Sequence, residues 1–112
     1  MSEIANYLRL MLNGAKEAVV TAVTVDLTPT KFTSQLSAGY KRKSLSVYNN
    51  SNSASGECHY SYSASATSEN LSHPIPKGAK IEIPVTTDVD VYFFADTILS
   101  GEIGDLRVEE VA

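Results

Sequence analysis

Soft ligands and catalytic side chains are scarce in this sequence. Cysteine occurs once, as Cys58, histidine twice, as His59 and His73, and tryptophan not at all. One cysteine excludes an intrachain disulfide and fits assembly in a reducing compartment. A zinc site takes about four ligands in spaced pairs, and neither CxxC nor HxxxH occurs, so no metal is expected. Cys58 reads as a small buried hydrophobe and His59 as an exposed strand residue. Asp88, Asp90 and Asp96 cluster around one stretch without a DxDxDG loop, so they read as solvated strand-end carboxylates rather than calcium ligands. Glu102, Asp105, Glu109 and Glu110 read as surface charge. Serine is plentiful, but there is no GxSxG elbow and no base arranged to activate it. Gly78, Gly101 and Gly104 stand apart as turn glycines, so no loop cradles a phosphate. The expectation is a protein that is not an enzyme, with no catalytic residue and no cofactor.

Strong charge and long apolar runs are also lacking. The 112 residues carry a formal net charge of −4, which disfavours general binding to phosphate backbones. The one basic cluster, Lys41, Arg42 and Lys43, reads as the solvated start of a strand or as an interface feature, so no nucleic acid is expected. No stretch reaches the ~18 apolar residues of a membrane span. Glu3 and Asn6 stand where the apolar part of a secretory signal would begin, so no signal peptide and no membrane are expected. The sequons at Asn49 and Asn70 then read as chance.

What the sequence does contain is β-branched and aromatic residues at alternate positions, punctuated by polar turns. Residues 2–13 differ. Ser2 caps, Glu3 suits a first turn and Gly14 is a stop, with Ile4, Leu8 and Met11 or Leu12 at helical spacing and Tyr7 beside them. So short a helix is marginal alone and must dock on something. Residues 1–14 are therefore expected to be a helix or an arm, and 15–112 a single β-sandwich domain.

Within that domain, residues 18–27 alternate with Val19, Val23, Val25 and Leu27 on one face. Residues 31–37 form a weaker strand anchored by Phe32. Residues 43–49 and 57–63 alternate on either side of a polar loop and read as a hairpin. Residues 64–78 show no convincing strand; His73 to Lys77 should be extended and turn at Gly78. Residues 79–85 read as an edge strand or strand end because of Pro84. Residues 89–95 place Val89, Val91, Phe93 and Ala95 opposite Tyr92 and Phe94, apolar on both sides. Residues 105–111 close the chain with Leu106 and Val108 inward. The sum is a mainly β fold, an antiparallel β-sandwich or small barrel of about seven strands with a short N-terminal helix.

The segments KSLSVYNNS, GECHYSYS, HPIPKGAKIEIPV, VDVYFFADT and GDLRVEEV follow one another over residues 43–112. In that order they resemble small β-rich virion proteins of tailed bacteriophages. The first 42 residues lie outside the resemblance. It implies a non-enzymatic structural protein of the virion, assembled in the host cytoplasm. Capsid decoration is the leading role. A head–tail, tail or baseplate component with a carbohydrate- or receptor-binding role is the alternative. The implied partners are phage capsid or tail proteins and further copies of the chain. Avidity under symmetry lets modest contacts hold such a part in place. The residues expected at protein interfaces are Ile4, Tyr7, Leu8 and Met11 of the N-terminal segment and Tyr48, Tyr60 and Tyr62, which with Tyr92 read as an aromatic strip. A third reading is a small regulatory or inhibitor protein that presents a β-edge to one partner.

Overall fold

Alternating side chains make strands, and the crossings between them make the fold. The structure, a computed structural model, describes residues 16–51, 57–67, 69–95 and 104–112. In chain order its strands are β1 (Ala18–Val25), β2 (Thr30–Lys31), β3 (Ser44–Asn49), β4 (Cys58–Ser61), β5 (Ser72–Ile75), β6 (Lys80–Ile83), β7 (Tyr92–Ala95) and β8 (Gly104–Val111). They form two four-stranded sheets, ordered β1-β8-β3-β6 and β2-β7-β4-β5. All pairings are antiparallel. The expected helix, with Ile4, Tyr7, Leu8 and Met11, lies outside the described residues.

The strand order has a simple origin. β1 pairs with β8, β2 with β7, β3 with β6 and β4 with β5. The chain is thus one long hairpin with its tip between β4 and β5. The β3–β8 and β4–β7 pairings roll it into two layers. This is the jelly-roll winding. Among the described strands, β4 and β5 are the only consecutive pair in the same sheet.

Four expectations change here. β3 and β4 are not a hairpin: they lie in different sheets. Alternation identifies a strand but not its partner. Ser72–Ile75 is a strand despite Pro74, because β5 is a sheet edge, where a missing donor does no harm. Leu27 does not continue the face of Val19, Val23 and Val25: β1 ends at Val25 and Leu27 is exposed. The carbonyl of Asp26 accepts the Ala95 N–H at 2.7 Å, so the chain has already left β1 for the other sheet. Gly104 is a buried strand residue rather than a turn glycine.

The core lies between the layers. Leu45 and Val47 of β3, Ile83 of β6 and Leu106 and Val108 of β8 meet Cys58 of β4, Ile75 of β5 and Phe93 and Ala95 of β7. Asn49 ties the layers: fully buried on β3, it donates from Nδ2 to the carbonyl of Ile75 on β5 at 2.7 Å. Its Oδ1 accepts the Ser51 N–H at 3.0 Å. A glycan on that sequon is incompatible with this burial. Gly104 is required by close approach, since a Cβ there would lie 2.6 Å from Val25 Cγ2 and 3.0 Å from Cys58 Sγ. Gly104→Ala should therefore overpack the core and cost about 1–3 kcal/mol. Urea unfolding checks this, and an unchanged midpoint would show that Val25 swings aside freely.

One end of the interior is polar. Glu110 follows Leu106 and Val108 on the inward face of β8 and is fully buried. Its Oε2 lies 3.2 Å from Arg42 Nη1, and its Oε1 accepts the Gln35 N–H at 2.8 Å. Arg42, itself buried, also donates to the carbonyls of Val85, Thr86 and Val89. Neither residue is the surface charge its sequence context suggests. At the start of β1, Ser37 donates its N–H and hydroxyl to the Glu17 carboxylate. These bonds hold the Glu17 pKa below the usual carboxylate range.

Candidate interaction surface

The four tyrosines expected to form one strip do not share a face: Tyr48 lies on one sheet, and Tyr60 and Tyr92 lie on opposite faces of the other. Tyr48 lies on the outer face of the β1-β8-β3-β6 sheet, in register between Lys80 and Arg107. Around it the surface is charged: Lys80 lies 4.0 Å from Glu109, and Arg107 pairs with Asp105. Tyr60, on β4, packs against the core from the other sheet. Tyr62 follows at the end of β4, 46% exposed.

Tyr60 and Tyr62 belong instead to a cluster at the hairpin tip. Their rings meet edge to face, with centroids 6.1 Å apart. Tyr60 also stacks on His73, its register partner on β5, at 5.1 Å. Continuing that register sets Leu71 opposite Tyr62. Leu71 is 59% exposed and, at φ 64°, lies in the left-handed region. That conformation is uncommon outside glycine, asparagine and aspartate. Ser61 Oγ holds the Leu71 carbonyl at 2.5 Å, and Ser72 Oγ holds that of Thr67 at 2.7 Å. The tip loop thus presents a leucine beside an aromatic group of three rings.

Electrostatics at the tip favour a neutral Tyr60 ring. Burial raises the Tyr60 phenol above the ordinary tyrosine range, and the adjacent Tyr62 raises it further. The tip therefore offers apolar faces with hydroxyl edges, a chemistry suited to protein contact or to stacking on sugar rings. Sequence reasoning found Tyr60 and Tyr62 but missed His73 and Leu71. A lone leucine in the polar run SATSENLS is the signal that could have found it.

The remaining candidates resolve as follows. His59 is buried on the outer side of its sheet and stacks on Phe94 at 5.3 Å, so it is not an exposed strand residue. β4 is covered on both faces, which alternation alone does not reveal. Cys58 is buried in the core. Asp88 and Asp90 face lysines, 4.0 Å from Lys41 and 3.4 Å from Lys31. Among the described residues no group of three or more potential ligands could hold a metal, and no helix is long and apolar enough to cross a membrane. The basic cluster divides. Arg42 turns inward, while Lys41 and Lys43, with Lys16, line a pocket of about 260 Å³. The sequence matches no protein-family model and has no significant match among curated proteins.

Proposed function

We propose that this protein is a non-enzymatic structural component of a tailed-phage virion, most simply a capsid decoration protein, and that its tip cluster contacts the shell. One observation carries the reading. The jelly-roll winding recurs in viral capsid domains, and the five segments that resemble phage virion proteins supply β3 to β8 of it. The support from the fold is analogy, because one fold serves many functions. The tip adds a physical reason: the rings of Tyr60, Tyr62 and His73 pack together near an exposed leucine, which offers apolar contact area there. Repeated around a symmetric shell, a small contact of this kind holds firmly by avidity.

The lectin-like use of the same winding is the second reading, favoured by the Tyr60–His73 stack. A tail or baseplate protein that binds carbohydrate would use it. Co-sedimentation with capsids and tails of the parent phage separates the two. The decoration reading expects the purified chain to pellet with capsids. Tyr62→Ala combined with Leu71→Ser should reduce that binding about tenfold or more, as hot-spot truncations do, with thermal stability nearly unchanged. Failure to pellet with capsids, together with glycan-array binding that Tyr62→Ala abolishes, would replace decoration by the carbohydrate reading. Binding to neither capsid, tail nor glycan would refute both.

A further inference from the structure

The two sheets have four edges, and three are blunted. β2 is two residues long. β5 carries Pro74, and β6 carries Lys80 and Glu82 and ends at Pro84. Short strands, charges and prolines are how β-proteins prevent edge-to-edge pairing. β1 has none of these devices. Its eight residues, AVVTAVTV, include neither a charge nor a proline, and among the described residues they pair with β8 alone.

The side chains of β1 are also incompletely covered. Val20, on the outer face, is 62% exposed. The inward residues Val19, Thr21 and Val23 are only half-buried. Thr21 Oγ1 is buried without a hydrogen-bond partner. A sandwich that ended at this edge would leave three inward side chains half-exposed.

The hydrogen-bond phase shows what the edge offers. Just before β1, Glu17 and Ala112 exchange both backbone bonds, at 3.2 and 2.8 Å. In an antiparallel ladder such pairs alternate. Val19, Thr21, Val23 and Val25 therefore bond to β8. Ala18, Val20, Ala22 and Thr24 turn their N–H and C=O groups to the free edge.

We propose that β1 is the joint of a homodimer, in which two copies pair antiparallel with Thr21 facing Thr21 of the second copy across a two-fold axis. In this register Ala18 meets Thr24 and Val20 meets Ala22, all residues whose backbone groups face the edge. Val19 meets Val23 on the inward side, and the two Thr21 side chains face each other at the axis, a favourable cross-strand position for threonine. Beyond the strand ends the same register carries Lys16 of each copy toward Asp26 of the other, so the flanking charges are complementary. A shift by one residue would set inward side chains against outward ones and mismatch the amides. The two four-stranded sheets merge into one continuous sheet, with both sandwiches on the same side of it. The inference does not rest on the virion reading.

Light scattering after size exclusion should give twice the 12.1 kDa of the full chain. Val20→Lys places a charge at the joint on a side chain already exposed. It should raise the dimer dissociation constant about tenfold or more while keeping a cooperative unfolding transition. The register has its own test. Facing residues of a non-hydrogen-bonded pair have Cα atoms about 4.5 Å apart, within the ~4.4–6.8 Å that a disulfide spans. Thr21→Cys should therefore form a covalent dimer under mild oxidation, and Thr24→Cys should not. A single-chain mass at all concentrations, or a dimer that neither Val20→Lys weakens nor Thr21→Cys cross-links, overturns the proposal. If the chain is monomeric and the Val20 and Ala22 amides still resist hydrogen exchange, the edge belongs to another segment of the same chain.

Discussion

Arg42→Ala is expected to lower the free energy of unfolding by about 3–5 kcal/mol, the usual cost of removing one member of a buried ion pair. Against a typical total of about 5–15 kcal/mol, that is a large share, and it should lower Tm by about 15 °C or more. The cost arises from what remains. Glu110, fully buried, loses its 3.2 Å partner. The carbonyls of Val85, Thr86 and Val89 lose the donors that held the β6–β7 connection. Salt should change this loss little, because a buried pair is poorly screened. The exposed Lys31–Asp90 pair, at 3.4 Å, should contribute only about 0–1 kcal/mol.

A double variant, Arg42→Met with Glu110→Leu, sharpens the argument. Where an ion pair is replaced whole by apolar groups, stability is often regained. Here recovery should be partial. The Gln35 N–H, which donates to Glu110 at 2.8 Å, and the three carbonyls bound by Arg42 would remain unsatisfied. Full recovery in urea denaturation would show that water reaches those backbone groups. An Arg42→Ala loss below about 1 kcal/mol, the level of a surface pair, would show that the pair is solvated in solution.

The ion pair also marks the limit of what the sequence could reveal. Period-two alternation located β3 and β8 and their inward faces, because each is a strand with an apolar row toward the core, while β7 begins only at Tyr92, and Val89, read with its inward row, is exposed. Alternation also anticipated that β7 is apolar on both sides, as Phe93 and Phe94 are both buried. Pairing was not legible, because neighbours in a jelly roll are far apart in sequence. β1 and β8 stand at opposite ends of the described chain and yet form an eight-residue ladder. For the same reason Arg42 and Glu110 each looked like solvated charge: the partner that allows burial is 68 residues away. The phase of Glu110 with Leu106 and Val108 was a usable sign that its side chain points inward. The candidate surface divided along the same line. Tyr60 and Tyr62 are neighbours in sequence and do meet, whereas Tyr48, read with them as one strip, lies on the other sheet.

The topology also relates the proposed surfaces. The β1 edge belongs to the sheet β1-β8-β3-β6, and the aromatic tip to the other sheet, between β4 and β5. A joint on β1 therefore leaves the tip cluster of each copy available. Two tips in one dimer bind with avidity whenever a target presents two sites at matching spacing. Variants of the two surfaces should accordingly separate in experiment. Val20→Lys should change oligomeric state and weaken target binding only through lost avidity. Tyr62→Ala should weaken target binding without changing oligomeric state.

Phe93→Ala should be as damaging as loss of Arg42, at about 3–5 kcal/mol, and for a different reason. Phe93 is fully buried on β7, between β2 and β4. Its ring meets Phe32 edge-on, with centroids 6.0 Å apart and planes at 74°. In register it is flanked by Thr30 and Tyr60. Deleting the ring therefore empties the core and also loosens β2, which is held by two register pairs and by the Phe32 N–H to Val91 carbonyl bond at 2.8 Å. Phe32→Ala should cost less, because Phe32 sits at the margin of the core with 9% of its surface exposed. A double-mutant cycle between the two should return a coupling of about 0.5–1.5 kcal/mol, the worth of an aromatic pair beyond its buried area. Zero coupling would mean that the edge-on contact adds nothing to burial. Phe93 also supports Tyr60 from the neighbouring strand, so Phe93→Ala should weaken target binding together with stability, whereas Tyr62→Ala should weaken binding alone. If Phe93→Ala left binding intact at a temperature where the variant is folded, the tip would be shown to hold its geometry independently of the core beneath it.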